Sequence, residues 1–265
     1  MKIKDIGWVW EGQAFDPGVY PSIFGVGEGA EYFGLKKACY LYHPNDELAM
    51  KKMSHLEEIV CDISKWKCRN IFDGNPSSPY GVVNWVDCSQ TSVCAEAENV
   101  SSLSKKFLNI TGAIHDDMKV LTKREGYAPE AYEPIYNALH SKNPKLKLWS
   151  VVYTHELSLE EWSGFTRYMD VINLWVWNAN DLLNLDEYVK RSKEIFPDKP
   201  IIMGCYLRDY PTSSPVPMEL LKFQCERILH YINDKLIDGY SILGTVLIDG
   251  HQEQANWIRD FIAAN

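Results

Sequence analysis

The chain has 265 residues, enough for one large domain or two smaller ones, and at 46% hydrophobic content it can fill a core. Its net charge is −9 with no basic cluster, so neither nucleic acid nor an anionic membrane surface is expected as a partner. No run approaches the roughly 18 apolar residues of a membrane span, and Met1–Asp5 carries no apolar signal region. As written the chain reads as cytoplasmic; a leader removed ahead of this start would make it secreted or periplasmic.

Eight apolar, strand-like runs follow in order, most of them trailed by a helix-like segment. The first is Ile6–Trp10, followed by a Gly- and Pro-containing stretch, Asp16–Gly34, that holds a short helix. The second is Ala38–Tyr42; Pro44-Asn45-Asp46 then opens a helix through Leu56, acidic in its first turn. The third is Ile59–Cys61. A long insertion interrupts the rhythm over 63–93, with loop composition at Asp73–Pro79 and an extra strand-like piece at Val82–Val86. A helix from about Cys94 to Leu108 leads to the fourth run, Thr111–His115, and one over Pro129–His140 leads to the fifth, Leu146–Tyr153. Ser158–Glu161 has the spacing of a capping box. The sixth run is Val171–Trp177, with a helix over Leu185–Phe196. The seventh is Ile201–Tyr206, with a long helix over Pro217–Leu236. The eighth is Tyr240–Ile248, and a helix over Gln252–Ala264 ends the pattern.

Strand–helix alternation predicts a parallel sheet, and eight repeats predict closure into one (β/α)8 barrel over residues 1–265, with the insertion near its mouth. No Gly-x-Gly-x-x-Gly follows the first run and no phosphate-loop motif occurs, so nucleotide chemistry lacks its backbone cradle. The seven cysteines include no Cys-x-x-Cys; Cys39, Cys61 and Cys205 sit in strand-like runs as small apolar residues, and Cys88 and Cys94 are close enough in sequence to pair within one loop.

A barrel of this kind carries its site at the C-terminal ends of its strands. Those ends are rich in acids and aromatic rings. The fourth run ends His115-Asp116-Asp117. Placing the large aliphatic Ile114 on the helix side puts Thr111, Ala113, His115 and Asp117 on the interior side, so that Asp117 points into the mouth; otherwise the two acids cap the next segment. The fifth run ends Tyr153-Thr154-His155-Glu156, and Glu156 either faces Asp117 or supports the following helix start. Two carboxylates in one pocket repel, which keeps one protonated and the other ionised, the requirement for glycosidic cleavage. Glu11 after the first run, read as inward-facing, is the best alternative partner for Asp117, and Asp249 after the eighth, in parity with Ser241 and Thr245, either binds a sugar hydroxyl or is the second carboxylate. Trp10, Tyr153, Trp177 and Tyr206 offer stacking faces for sugar rings, while Asn178, His155 and Arg208 offer hydrogen bonds to hydroxyls.

A metal reading competes, because His43, Asp62, His115, Asp117, His155, Glu156, Asp249 and His251 include nitrogen and oxygen ligands. The first run, however, has no His-x-His, and no His-Glu-x-x-His occurs. We therefore expect no cofactor.

The segments Thr111–Asp117, Leu148–Glu156, Leu174–Asn178 and Gly204–Tyr206 together resemble the glycoside hydrolase-like (β/α)8 superfamily. The resemblance implies a catalytic acid after the fourth strand, which falls on Asp116 or Asp117. The chain departs from the largest retaining clan in lacking Asn-Glu at the fourth strand and Glu at the seventh, and it lacks the spaced acidic signature of chitinase-like barrels. The expectation is a carbohydrate-active hydrolase acting on an oligosaccharide or glycoside, with Asp117, Glu156 and Asp116 as its acids. The alternatives are a metal-dependent sugar isomerase or lyase and a non-catalytic carbohydrate-binding barrel. Oligomeric state is open.

Overall fold

The computed structural model describes residues 2–12, 19, 21–64, 66–70 and 82–265, with the backbone alone at 66–70 and 82–86. Eight parallel strands close a barrel: β1 (Gly7–Trp10), β2 (Lys37–Tyr40), β3 (Glu58–Asp62), β4 (Ile110–His115), β5 (Lys147–Tyr153), β6 (Val171–Trp175), β7 (Ile201–Tyr206) and β8 (Gly239–Leu243). Each pairs with its neighbours in chain order, and β8 closes on β1 through Gly7↔Tyr240 to Trp10↔Leu243. Helices cover the outer face, so these strands are buried on both sides. That is why they read as nearly continuous apolar runs rather than as an alternation.

Contacts across the barrel identify the interior side chains. Trp8 on β1 meets Trp149 on β5, with ring centroids 4.6 Å apart. Asn173 on β6 donates to Ser241 Oγ on β8 at 3.1 Å, and Trp10 meets Trp175 at 5.2 Å. Residues in register on adjacent strands share a face, so the pairs Ile114↔Trp149 and Asp62↔Ile114 put Ile114 and Asp62 inside. The β4 alternation expected from the sequence is therefore reversed. Gly112, Ile114 and Asp116 lie on the interior side, and Ala113 and His115 face the helix layer. Size alone misassigned Ile114: the interior floor is built from large groups beside small ones, with Gly112 next to Trp149 and Gly204 beneath Trp175. A Cβ on Gly204 would lie 2.1 Å from the Trp175 ring.

The outer layer comprises α1 (Val26–Phe33), α2 (Glu47–Lys52), α3 (Gln90–Leu103), α4 (Met118–Arg124), α5 (Glu133–His140), α6 (Leu159–Trp162), α7 (Leu185–Ile195), α8 (Met218–Asn233) and α9 (Gln252–Ala264). Asp46 caps α2 by accepting from Ala49 N at 2.8 Å, and α1 ends at Gly34 in the left-handed region that a residue without Cβ occupies at little cost. Several segments are shorter than expected. Ser158 precedes α6 without a side-chain cap bond, and the helix ends after Trp162. The eighth strand stops at Leu243 and gives way to a 3-10 turn at Thr245–Leu247.

Within the insertion, Trp66–Asn70 and Val82–Val86 form an antiparallel pair, and the loop at Asp73–Pro79 lies outside the described residues. Cys88 and Cys94 are unpaired, and Cys39, Cys61 and Cys205 are buried free thiols. Among the described residues no helix is long and apolar enough to cross a membrane.

Candidate active site

The end of β4 sends its three polar residues to different places. His115 faces outward. Its Nδ1 is hydrogen-bonded to the Tyr132 hydroxyl, the two rings stack, and burial pushes the imidazole down to about 3, leaving it neutral. Asp116 is buried on the interior side, where its Oδ1 accepts from Asp117 N at 3.1 Å. Asp117 stands at the position before α4 with φ +49°, and its carboxylate makes no capping bond to that helix. It accepts instead from the Tyr153 hydroxyl at 2.8 Å.

Beyond β5 the chain turns through a 3-10 segment, Thr154–Glu156, that folds Glu156 back onto the strand end. Glu156 Oε2 accepts from Tyr153 N at 3.0 Å. Tyr153 thus holds both acids, one through its hydroxyl and the other through its amide. Burial raises Glu156 most; the Tyr153 amide opposes the shift, the Asp117 charge adds to it, and the carboxyl reaches about 7. Burial also raises Asp117, and the Tyr153 hydroxyl counters it by favouring the ionised form.

An aromatic wall stands beside the acids. Trp175 and Tyr206 pack at 4.5 Å above Gly204. Trp177 stacks on Tyr210 at 4.7 Å and meets Tyr153 and Tyr206 edge-on. Trp177 is 40% exposed, a large apolar face open to a ligand. His155 stacks on Tyr153 at 5.4 Å. Arg208 is buried with its guanidinium 5.6 Å from the Tyr210 ring centre, and Asp209 accepts from Ala179 N at 2.9 Å. Asn178 uses its Oδ1 on Asn180 N, opening a 3-10 turn. Trp10 lies below, its buried indole N–H without a hydrogen-bond partner among the described residues.

Two sequence-derived candidates stand apart from this cluster. Glu11 follows the interior Trp10, so alternation turns it to the helix side. It lines a separate cavity of about 540 Å³ with Gly25, Tyr40, His43 and Lys52. Asp249 does not continue the β8 alternation, because the strand has already ended; its Oδ2 accepts from Ile23 N at 3.2 Å and ties down the segment before α1. Tyr210 is absent from the sequence-derived set, although its spacing from Tyr206 and Arg208 was a usable signal. Asp62 also reaches the interior, where it accepts from Ser64 N at 2.8 Å. Among the described residues no three His, Cys, Asp or Glu side chains converge as metal ligands.

No family model matches the chain, and no curated protein sequence matches it. Solved structures do. A β-D-glucuronidase from Dictyoglomus thermophilum superposes with a TM-score of 0.59 at 11% identity, covering 100% of this chain and 51% of that one. A chitinase from Chromobacterium violaceum gives 0.54 at 10% identity over 98% and 99% of the two chains. The xylanase-α-amylase inhibitor protein XAIP-I, solved with trehalose, gives 0.55 at 11% identity over 98% of each. The chain thus spans about half the length of the glucuronidase. At these identities the likeness establishes a shared fold: this is the eight-stranded α/β barrel found in glycoside hydrolases, and also in an inhibitor protein.

Proposed function

We propose that the chain is a carbohydrate-active hydrolase whose acids are Asp117 and Glu156. The observation that carries this reading is Tyr153, which binds the half-buried Asp117 carboxylate through its hydroxyl and the buried Glu156 carboxylate through its amide at the barrel mouth. Glu156, protonated up to about pH 7, is the general acid. It gives its proton to the glycosidic oxygen as the bond from that oxygen to the anomeric carbon breaks. Asp117 is the ionised partner as positive charge develops on the sugar ring: it either takes a proton from the water that attacks the anomeric carbon, or bonds to that carbon itself and is released when water cleaves the glycosyl ester. Asp116 holds the Asp117 backbone beneath it. Trp177, Tyr206 and Tyr210 supply stacking faces, and Arg208, His155 and Asn178 polar contacts, for an oligosaccharide or glycoside. This chemistry needs no cofactor.

The test is release of nitrophenol from a panel of 4-nitrophenyl glycosides, covering neutral sugars, an N-acetylhexosaminide and a glucuronide. The expected result is hydrolysis of at least one, insensitive to chelator, falling about 100- to 10,000-fold in Asp117→Asn or Glu156→Gln. The likeness to an inhibitor protein solved with a sugar favours one second reading, a binding barrel without turnover. Saturable sugar binding with no hydrolysis of any substrate would establish it. Loss of turnover on adding chelator would point to the metal-dependent class.

A further inference from the structure

Tyr40 and Tyr42 share an alternation but end in different places. Tyr40 follows the strand outward: its hydroxyl donates to Pro44 O at 3.3 Å and its ring lines the side cavity. Simple continuation of β2 would send Tyr42 the same way. Instead Tyr42 has φ +66°, and its half-buried ring packs against the barrel core, near enough to Asp116, Tyr210, Asp117 and Asp62 that their charges add to the effect of burial on its phenol. A bulky residue with a Cβ adopts the left-handed region only where its surroundings impose it. The imposing group is on either side of it. Glu11 Oε2 accepts from Leu41 N at 3.1 Å, immediately before Tyr42, and Glu11 Oε1 meets His43 Nε2 at 3.1 Å, immediately after. One buried carboxylate grips both sequence neighbours of Tyr42.

We infer that Tyr42 is a substrate-contacting residue of the acid site and that Glu11, with His43, is the positioning pair that turns it into the mouth. The contact rests on the hydrolase reading above; the positioning rests on geometry alone. Burial among carboxylates keeps the phenol protonated. It is therefore a hydrogen-bond donor for a substrate oxygen in a mouth crowded with acceptors.

Tyr42→Phe keeps the ring and removes only the hydroxyl. On the 4-nitrophenyl glycoside that the wild type hydrolyses, its kcat/KM should fall about 100-fold, with the unfolding midpoint unchanged. Glu11→Ala should lose a similar factor, and Glu11→Gln, which keeps an acceptor for Leu41 N, should recover most of it. Adding Glu11→Ala to Tyr42→Phe should cost less than about threefold more. Wild-type kcat and KM in Tyr42→Phe overturns the contact; losses that multiply in the double variant overturn the positioning. A crystal structure of Glu11→Ala reads the positioning without turnover. Tyr42 leaving the left-handed region supports it, and Tyr42 staying overturns it. Wild-type protein inert towards the whole panel defeats the hydrolase reading and the contact with it, while that crystal structure still decides the positioning.

Discussion

Glu156 and Glu11 are near-matched in their local setting and opposite in their neighbours. Both are buried carboxylates at barrel strand ends, and each accepts one backbone N–H, from Tyr153 at 3.0 Å and from Leu41 at 3.1 Å. Burial is the largest influence on both and raises both. Glu156 then faces Asp117, a like charge that adds to the shift. Glu11 faces His43 at 3.1 Å, an opposite charge that reduces it and is itself raised in return. The first arrangement leaves a proton ready for transfer near neutral pH; the second spends the charge on an ion pair that fixes the backbone. An acid at a strand end is therefore not enough to mark chemistry. The group it faces decides.

The largest expected effect tests the first half of that comparison. The pH profile of kcat/KM should fall as pH rises through about 7, where Glu156 loses its proton. It should also fall on the acid side as Asp117 gains one, at a pH above the ordinary aspartate value. Removing the like charge should move the remaining group: in Asp117→Asn, the Glu156 carboxyl followed by carbon NMR should titrate lower than in the wild type. An unchanged titration would show that burial alone sets it.

Stability gives the next test. Glu156 holds its proton more tightly folded, at about 7, than its ordinary 4.5. Both states are protonated below the lower value, so stability is lost as pH rises from there through about 7. Glu156→Gln, which never ionises, should match the wild type at pH 4 and exceed it at pH 8 by on the order of 2–3 kcal/mol. Chemical denaturation at the two pH values measures this. The same variant would then be more stable and less active, as expected of a group kept buried for its chemistry.

Much of this fold was legible because parallel barrel strands, buried on both faces, write themselves as apolar runs; β4 and β7 fall within a residue of the runs Thr111–His115 and Ile201–Tyr206. Side-chain direction was less legible. Ile114 looked like a helix-facing residue, but the interior floor needs bulk beside Gly112 and takes it, which turns His115 out towards Tyr132. Alternation misplaces Asp249 because it treats Tyr240–Ile248 as one strand through Gly244, whereas the strand stops at Leu243. Tyr42 was legible as an aromatic at a strand end, but its turn was not: left-handed backbone is written in sequence as Gly or Asn, and here a distant carboxylate imposes it on a tyrosine.

The aromatic floor offers a test of intermediate size. Gly204→Ala places a Cβ where the Trp175 ring now lies, so the indole and the Tyr206 ring packed on it must shift. Overpacking of this kind costs about 1–3 kcal/mol. A lowered unfolding midpoint with altered tryptophan fluorescence is expected. A midpoint within error of wild type would mean that Trp175 has room to move and is not the support of the aromatic wall.

The smallest effect belongs to the ion pair. Glu11 raises His43, so the imidazolium is held more tightly in the folded chain than in the unfolded one. The stabilisation is fully present below pH 6.5, the ordinary histidine value, and is lost as pH rises through the higher folded one. Because the His43 side chain is 60% exposed, solvent screens the pair, and His43→Gln should cost no more than about 1 kcal/mol at pH 6 and close to nothing at pH 9. A cost that persists at pH 9 would place the value of His43 in its packing against Tyr40 rather than in its charge. Glu11 would then hold the Tyr42 turn through the Leu41 amide alone, and the contrast with Glu156 would rest on which side of the barrel wall each carboxylate occupies.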